Sequence, residues 1–349
     1  MTRTMLLEFD LAGAEWVVVA YLSGDPNMLS VVESGKSPHI VTGALMSGGT
    51  EELVAHDHEL VGSKTDPTII ERLRAFGDES RGLTPLNAPP GVFLPRSMSI
   101  RQAGKKSNHG LNYDMRYRRF ALENEMGERE AEPIVVAYRT KAYPCVFNKW
   151  HPDIRKEMKD NSRSLTNCFG RKVTLRDEWG QELFMAAYSF KPQSTVFDCC
   201  RSAMIKAFRD ESLVFHGMTM GAQVHDSVMV QYPVPTDRDG WLNLCCFITV
   251  MAKDYMRPQL VYGDRFFRLG CDVKCGVSWG AMKPLSVEED LNCMVEAIHR
   301  VYDASVLQLQ KLLGPDPLPS SSTEPQSTAS LELPLPSQPQ PEQDQSQHV

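Results

Sequence analysis

Residues 220–232 read Met220-Gly221-Ala222-Gln223-Val224-His225-Asp226-Ser227-Val228-Met229-Val230-Gln231-Tyr232. Apolar residues flank a short polar tip, His225-Asp226-Ser227, which is the pattern of a β-hairpin with a tight turn. Working back to the N-terminus, Met5-Leu6-Leu7-Glu8-Phe9-Asp10 reads as a second short strand that also ends in an acid. From Leu11 to Leu22 the pattern turns helical, and Gly24-Asp25-Pro26 closes the unit. A carboxylate at the end of an apolar strand is exposed at the sheet edge, where a cation can reach it. One such acid is a weak signal, because strand-end aspartates commonly cap the next helix. Two of them on neighbouring strands, Asp10 and Asp226, can share divalent cations, since hard oxygen ligands suit magnesium. Two ions about 3.5–4 Å apart are a known solution for in-line phosphoryl transfer.

Between the acids lies a cationic segment. Arg101, Lys105, His109 and Tyr113 are spaced by four on an expected helix that begins near Ser97. Four steps advance the helix face by only about 40°, so the set lines one side over about 18 Å. Residues 96–119 hold seven Lys and Arg against the single acid Asp114, a local charge of +6 in a chain whose formal charge is −7. A solvated basic face is the usual meaning of such a run. Here two cations at one end and two flat polar rings at the other suit a ligand with a polyanionic end and a planar end, such as a nucleoside triphosphate.

The 349 residues are 42% hydrophobic and 23% charged, an ordinary globular composition. No run of about twenty apolar residues is present, and Glu8 and Asp10 interrupt the apolar stretch nearest the N-terminus, against a signal peptide. Nine cysteines, two pairs of them adjacent and none in a C-x-x-C, read as reduced thiols of a cytoplasm-like compartment. His56-x-His58 is expected on a surface loop without a partner pair. Thr166 to Leu175 reads as a strand pair around Gly170, and Pro192 is expected to precede a helix over roughly 194–210. Ser286-x-x-Glu289 reads as a capping box that opens an amphipathic helix. The last 35 residues carry 8 of the 23 prolines and no glycine or aromatic residue, which reads as a disordered Pro/Ser/Gln-rich tail.

In this order the motifs resemble those of family A DNA polymerases, the DNA polymerase I type, and most of all their bacteriophage branch. Phe9-Asp10-Leu11-Ala12-Gly13-Ala14-Glu15 is similar to motif A. Arg101-Gln102-Ala103-Gly104-Lys105-Lys106-Ser107-Asn108-His109-Gly110-Leu111-Asn112-Tyr113 is similar to motif B, and Gln223-Val224-His225-Asp226 to motif C. Phe169-Gly170-Arg171-Lys172, Pro192-Gln193-Ser194-Thr195 and Trp279-Gly280 also match. The resemblance covers about residues 5–285 and implies an α/β (α+β) fold: a right-hand polymerase palm with an antiparallel sheet, plus a helical fingers subdomain. Its implied divisions are palm over 1–16 and 186–285, fingers over 17–185, an accessory helix over 286–313 and the tail over 314–349.

The resemblance also implies roles. Asp10, Asp226 and the carbonyl of Leu11 would bind two Mg²⁺. Arg101 and Lys105 would contact phosphates of a dNTP, with Lys105 also protonating the departing pyrophosphate. His109 and Tyr113 would face the nucleotide, and Glu15 its sugar. Gln193, His225 and Arg171 would contact primer–template DNA. Several positions depart from the family's pattern. His109 stands where Phe or Tyr is usual, Ser227 where many members carry Glu, and Asp114 where Gly follows the motif B Tyr. Asp10 lies nine residues from Met1, so the duplex-gripping thumb and the exonuclease domain are expected elsewhere, on a separate polypeptide or a longer reading frame. The implied function is template-directed DNA polymerisation in phage replication, in a bacterial host cytoplasm. The alternatives are a split-polymerase subunit inactive without a thumb-bearing partner, or a non-catalytic nucleic-acid-binding remnant.

Overall fold

Alternation along the first strand sets the architecture. Met5, Leu7, Phe9 and Leu11 are buried on one face, while Glu8 and Asp10 occupy the other, as a two-residue period requires. The computed structural model describes residues 3–61, 98–124, 126–287 and 290–313. Among them the strands are β1 (Thr4–Ala12), β2 (Ser164–Thr166), β3 (Lys172–Thr174), β4 (Thr219–Val224), β5 (Ser227–Pro233), β6 (Leu260–Tyr262), β7 (Arg265–Phe267), β8 (Gly270–Gly276) and β9 (Lys283–Leu285). The main sheet is antiparallel in the order β4-β5-β1-β8-β9, so the N-terminal strand is its centre. β2 pairs with β3 and β6 with β7 as separate hairpins.

The helices are α1 (Ala14–Ser23), α2 (Pro26–Glu33), α3 (Pro38–Ser47), α4 (Glu51–Val61), α5 (Ile100–Asn112), α6 (Tyr117–Glu123), α7 (Glu128–Ala137), α8 (His151–Asp160), α9 (Gln181–Arg209), α10 (Arg238–Thr249) and α11 (Leu291–Leu313). One hydrophobic cluster joins the buried sheet face (Phe9, Val228, Val230) to α9, α10 and α11 through Cys199, Ala203, Phe247 and Ile298. A second lies among helices, around Trp16, Phe120, Tyr138, Trp150 and Tyr188. Helices α1 and α9 contribute to both clusters, so they couple the sheet layer to the helical one.

The hairpin at 220–232, the strand at 5–10 and the pair around Gly170 form where the sequence places them. Three local readings are corrected. Pro192 lies inside α9 instead of before a helix. It removes one backbone hydrogen bond, but the turns on both sides are held by core packing, Leu183 and Tyr188 before it and Val196 and Cys199 after it. α11 is capped by Asp290, whose side chain accepts from the backbone N–H of Asn292 and Cys293, both at 2.9 Å; Ser286 does not open it. His56 and His58 sit on helix α4 and not on a loop. Glu289, the proline-rich stretch 85–95 and the tail 314–349 lie outside the described residues.

Candidate active site

The turn between β4 and β5 has only His225 and Asp226 outside the ladder. The backbone N–H of Leu11 donates to the carbonyl of Asp226 at 3.0 Å, which fixes this tip against the end of β1. His225 takes a left-handed φ of 55°, as the first position of a tight hairpin turn demands. Asp10 and Asp226 thereby meet at one end of the sheet. Burial and then the negative charge of Asp226 raise the Asp10 carboxyl to about 6. Lys274 opposes the rise, and Glu8 and Asp272 add to it. In the ladder Asp10 stands opposite Ser227 on one side and Asp272 on the other. Two pairs further along, on the same face, Glu8 faces Lys274, and their side chains form an ion pair of 2.6 Å.

Helix α5 forms the facing wall. Its buried positions, Ile100, Ala103, Gly104, Ser107, Asn108, Leu111 and Asn112, follow a helical period. Asn108 is held from three sides: its amide nitrogen donates to the Pro38 carbonyl at 3.1 Å, and its oxygen accepts from Thr42 at 2.9 Å and Tyr138 at 3.0 Å. The same hydroxyl lies 2.9 Å from the Asn112 side-chain oxygen, so its one proton is shared between the two amides. This network sets the rotation of α5 and turns Arg101, Lys105 and His109 to the other side. Gly104 permits the approach of α3, because a Cβ there would run into the His39 carbonyl and the Gly43 backbone. His39, on that neighbouring helix, is held near 3 by burial and by Arg101 and Lys105, so it is neutral.

A cleft of about 1350 Å³ lies between these walls, and all eleven residues singled out in the sequence line it: Asp10, Leu11, Glu15, Arg101, Lys105, His109, Tyr113, Arg171, Gln193, His225 and Asp226. Glu15 is the hub of its middle. The Tyr113 hydroxyl donates to it at 2.7 Å, and His109 Nδ1 lies 3.7 Å away. Burial pushes the Glu15 carboxyl up, but hydrogen bonds from His109, Tyr113 and Gln193 outweigh it and hold the group below the usual carboxylate range. Arg171 differs from the others. Its guanidinium grips Asp198 through Nη2 at 2.6 Å and Nε at 2.9 Å, so its charge is paired within the protein.

Among the described residues, no group of three or more His, Cys, Asp or Glu is arranged to hold a metal ion. The candidate set is smaller: two carboxylates at the strand ends with the backbone of Leu11 between them. These are hard oxygen donors, and the raised Asp10 carboxyl marks a place where negative charge is poorly compensated, so a divalent cation fits. Asp272, Arg268 and Phe197 also line the cleft and were not singled out from the sequence. Asp272 had a usable signal. Val273 and Cys275 point into the core and alternate with Asp272 and Lys274, which puts an acid on the face that Asp10 occupies.

The fold is similar to the polymerase domain of Pol1 from M. smegmatis in complex with DNA primer-template and dNTP, with a TM-score of 0.53 at 16% identity, covering 79% of this chain and 40% of that one. In sequence the chain is homologous to the thermostable DNA polymerase I of Thermus aquaticus, 25% identical over 238 residues, and to that of Thermus filiformis, 26% over 240 residues. These matches take in 66% and 67% of this chain, which spans 23% of the length of each relative. No protein-family model matches the chain.

Proposed function

We propose that the chain is the catalytic palm–fingers portion of a family A DNA polymerase, joining a dNTP to a primer 3′-hydroxyl under template direction. The observation that supports this best is the juxtaposition of Asp10 and Asp226 across one cleft from the cations of α5. A magnesium pair held by Asp10, Asp226 and the Leu11 carbonyl would supply Lewis acidity toward the 3′-hydroxyl and neutralise charge on the triphosphate. In this reading residues 1–16 and 186–285 are palm and 17–185 fingers. Arg101 and Lys105 bind the phosphates, and Lys105 hands a proton to the departing pyrophosphate. Glu15, locked by Tyr113 and His109, closes the space beside C2′ and so selects deoxynucleotides by shape. Gln193 and His225 address the minor-groove acceptors common to all correct pairs, which checks geometry without reading sequence. The bacteriophage branch and replication in a host cytoplasm complete the reading.

Primer extension with Mg²⁺ and four dNTPs tests it. The wild-type chain, alone or with a duplex-gripping polypeptide supplied, should extend a primer, and Asp226→Asn should reduce the rate by at least about a hundredfold while DNA affinity stays within about threefold. Extension by Asp226→Asn at the wild-type rate would refute the assignment.

A further inference from the structure

Phe197 is an anomaly in this cleft. It is 42% exposed, although it sits on α9 between core residues, and it lines the cleft beside Gln193, Ser194 and Val196 of the same helix. It is also braced. The Arg171 guanidinium lies over its ring at 5.0 Å, and that guanidinium is anchored by Asp198, only 4% exposed and itself held by Asn167 at 2.8 Å. One face of the ring is therefore backed by a fixed cation. Phe197 follows Gln193 by four residues, one turn further along the same helix face, or about 6 Å. That is close to two base-pair steps of about 3.4 Å.

We propose that Phe197, positioned by Arg171, packs on the minor-groove sugars of the bound duplex about two pairs behind the growing end, and makes the cleft prefer deoxyribose over ribose in the strand already laid down. This rests on the polymerase reading, in which Gln193 faces the minor groove. The ring has no donor or acceptor. Deoxyribose offers it C–H surface, whereas a ribose strand turns 2′-hydroxyls toward the same groove, and a hydroxyl pressed on the ring would lose its water. This selection is separate from the one at Glu15, which concerns the incoming nucleotide. Arg171 acts here as a positioning residue.

The test is equilibrium binding, by fluorescence anisotropy in EDTA, of two primer–templates identical except that one primer is DNA and the other RNA. Wild-type protein should prefer the DNA primer by about tenfold. Phe197→Gln should weaken DNA-primer binding by about five- to tenfold, leave RNA-primer binding within about twofold, and so erase most of the preference. Phe197→Leu, apolar and of similar reach, should keep most of it, which a general unfolding effect would not do. Arg171→Met should reduce the preference without abolishing DNA binding. DNA binding by the wild type with a preference unchanged in Phe197→Gln overturns this inference alone. Failure of the wild type to bind either duplex overturns it together with the polymerase reading.

Discussion

At the scale of single residues, the site places charges where folding alone would not. Asp10 holds a carboxyl raised to about 6 against an unfolded value near 3.8. A carboxyl raised on folding favours the folded state while protonated. That contribution is complete below pH 3.8 and is lost as pH rises through about 6. At neutral pH the ionised group is therefore a liability in the metal-free protein. Asp10→Asn should raise the stability of that form by about 1–2 kcal/mol at pH 7.5, after discount for partial exposure, and abolish extension. Thermal melts with and without Mg²⁺ check this: the ion should raise Tm for the wild type and leave the variant unmoved. His225, at φ 55°, is a second such place, because glycine would suit the backbone better. His225→Gly should be neutral or stabilising by up to about 1 kcal/mol in a urea melt, yet should slow extension through loss of the ring.

His151 gives the opposite sign. Burial holds it at about 4, below its ordinary 6.5, where it stacks on Tyr188 at 3.7 Å and donates through Nε2 to the Asn112 carbonyl at 2.8 Å. The folded state thus keeps this ring neutral. Its contribution is intact above pH 6.5 and is lost as pH falls toward 4. Stability should drop across that window by up to about 3 kcal/mol from this group, and His151→Phe should flatten that part of the curve while lowering stability at pH 7.5. Urea melts at pH 4.5, 5.5 and 7.5 measure both effects.

At the scale of elements, α5 works as a plate held from behind. The Asn108–Thr42–Tyr138 network and the close contact at Gly104 fix its roll, and its roll decides whether Arg101 and Lys105 reach the cleft. Gly104→Ala should push α5 from α3, cost about 2–3 kcal/mol and raise the KM for dNTP severalfold at nearly unchanged DNA affinity. The stripe at 101, 105, 109 and 113 was legible in the sequence because a helical period repeats locally. The plate behind it was not. Thr42 and Tyr138 lie 66 and 30 residues from Asn108, and no local pattern links them. The continuous α9 was illegible for a related reason. Proline breaks helices as a local rule, and only packing on two cores overrides it at Pro192.

At the scale of the whole molecule, a chain of net charge −7 that acts as proposed would meet a polyanion through a few cations lining its cleft. With Arg171 paired to Asp198 and Lys36 to Glu51, Arg101, Lys105 and Arg268 remain as cleft cations. DNA binding should therefore be weak and fall with salt with a log–log slope of about −2 to −3. Anisotropy titrations from 50 to 200 mM KCl would show it, and a flat response would contradict it.

The sequence by itself determined the strand at 5–10, the hairpin over 220–232 with its tip, the pair around Gly170 and the cationic stripe. Each is written in a short-range period that backbone geometry enforces. It also carried both acids, though not their meeting. Only the tertiary structure decided that β1 is the central strand, that Asp272 stands opposite Asp10, that Arg171 turns inward to Asp198 and that Phe197 is left facing the cleft. Those outcomes depend on strand order and on contacts between residues far apart in the chain. They are settled by which surfaces bury one another, a property of the assembled core that no stretch of neighbouring residues contains.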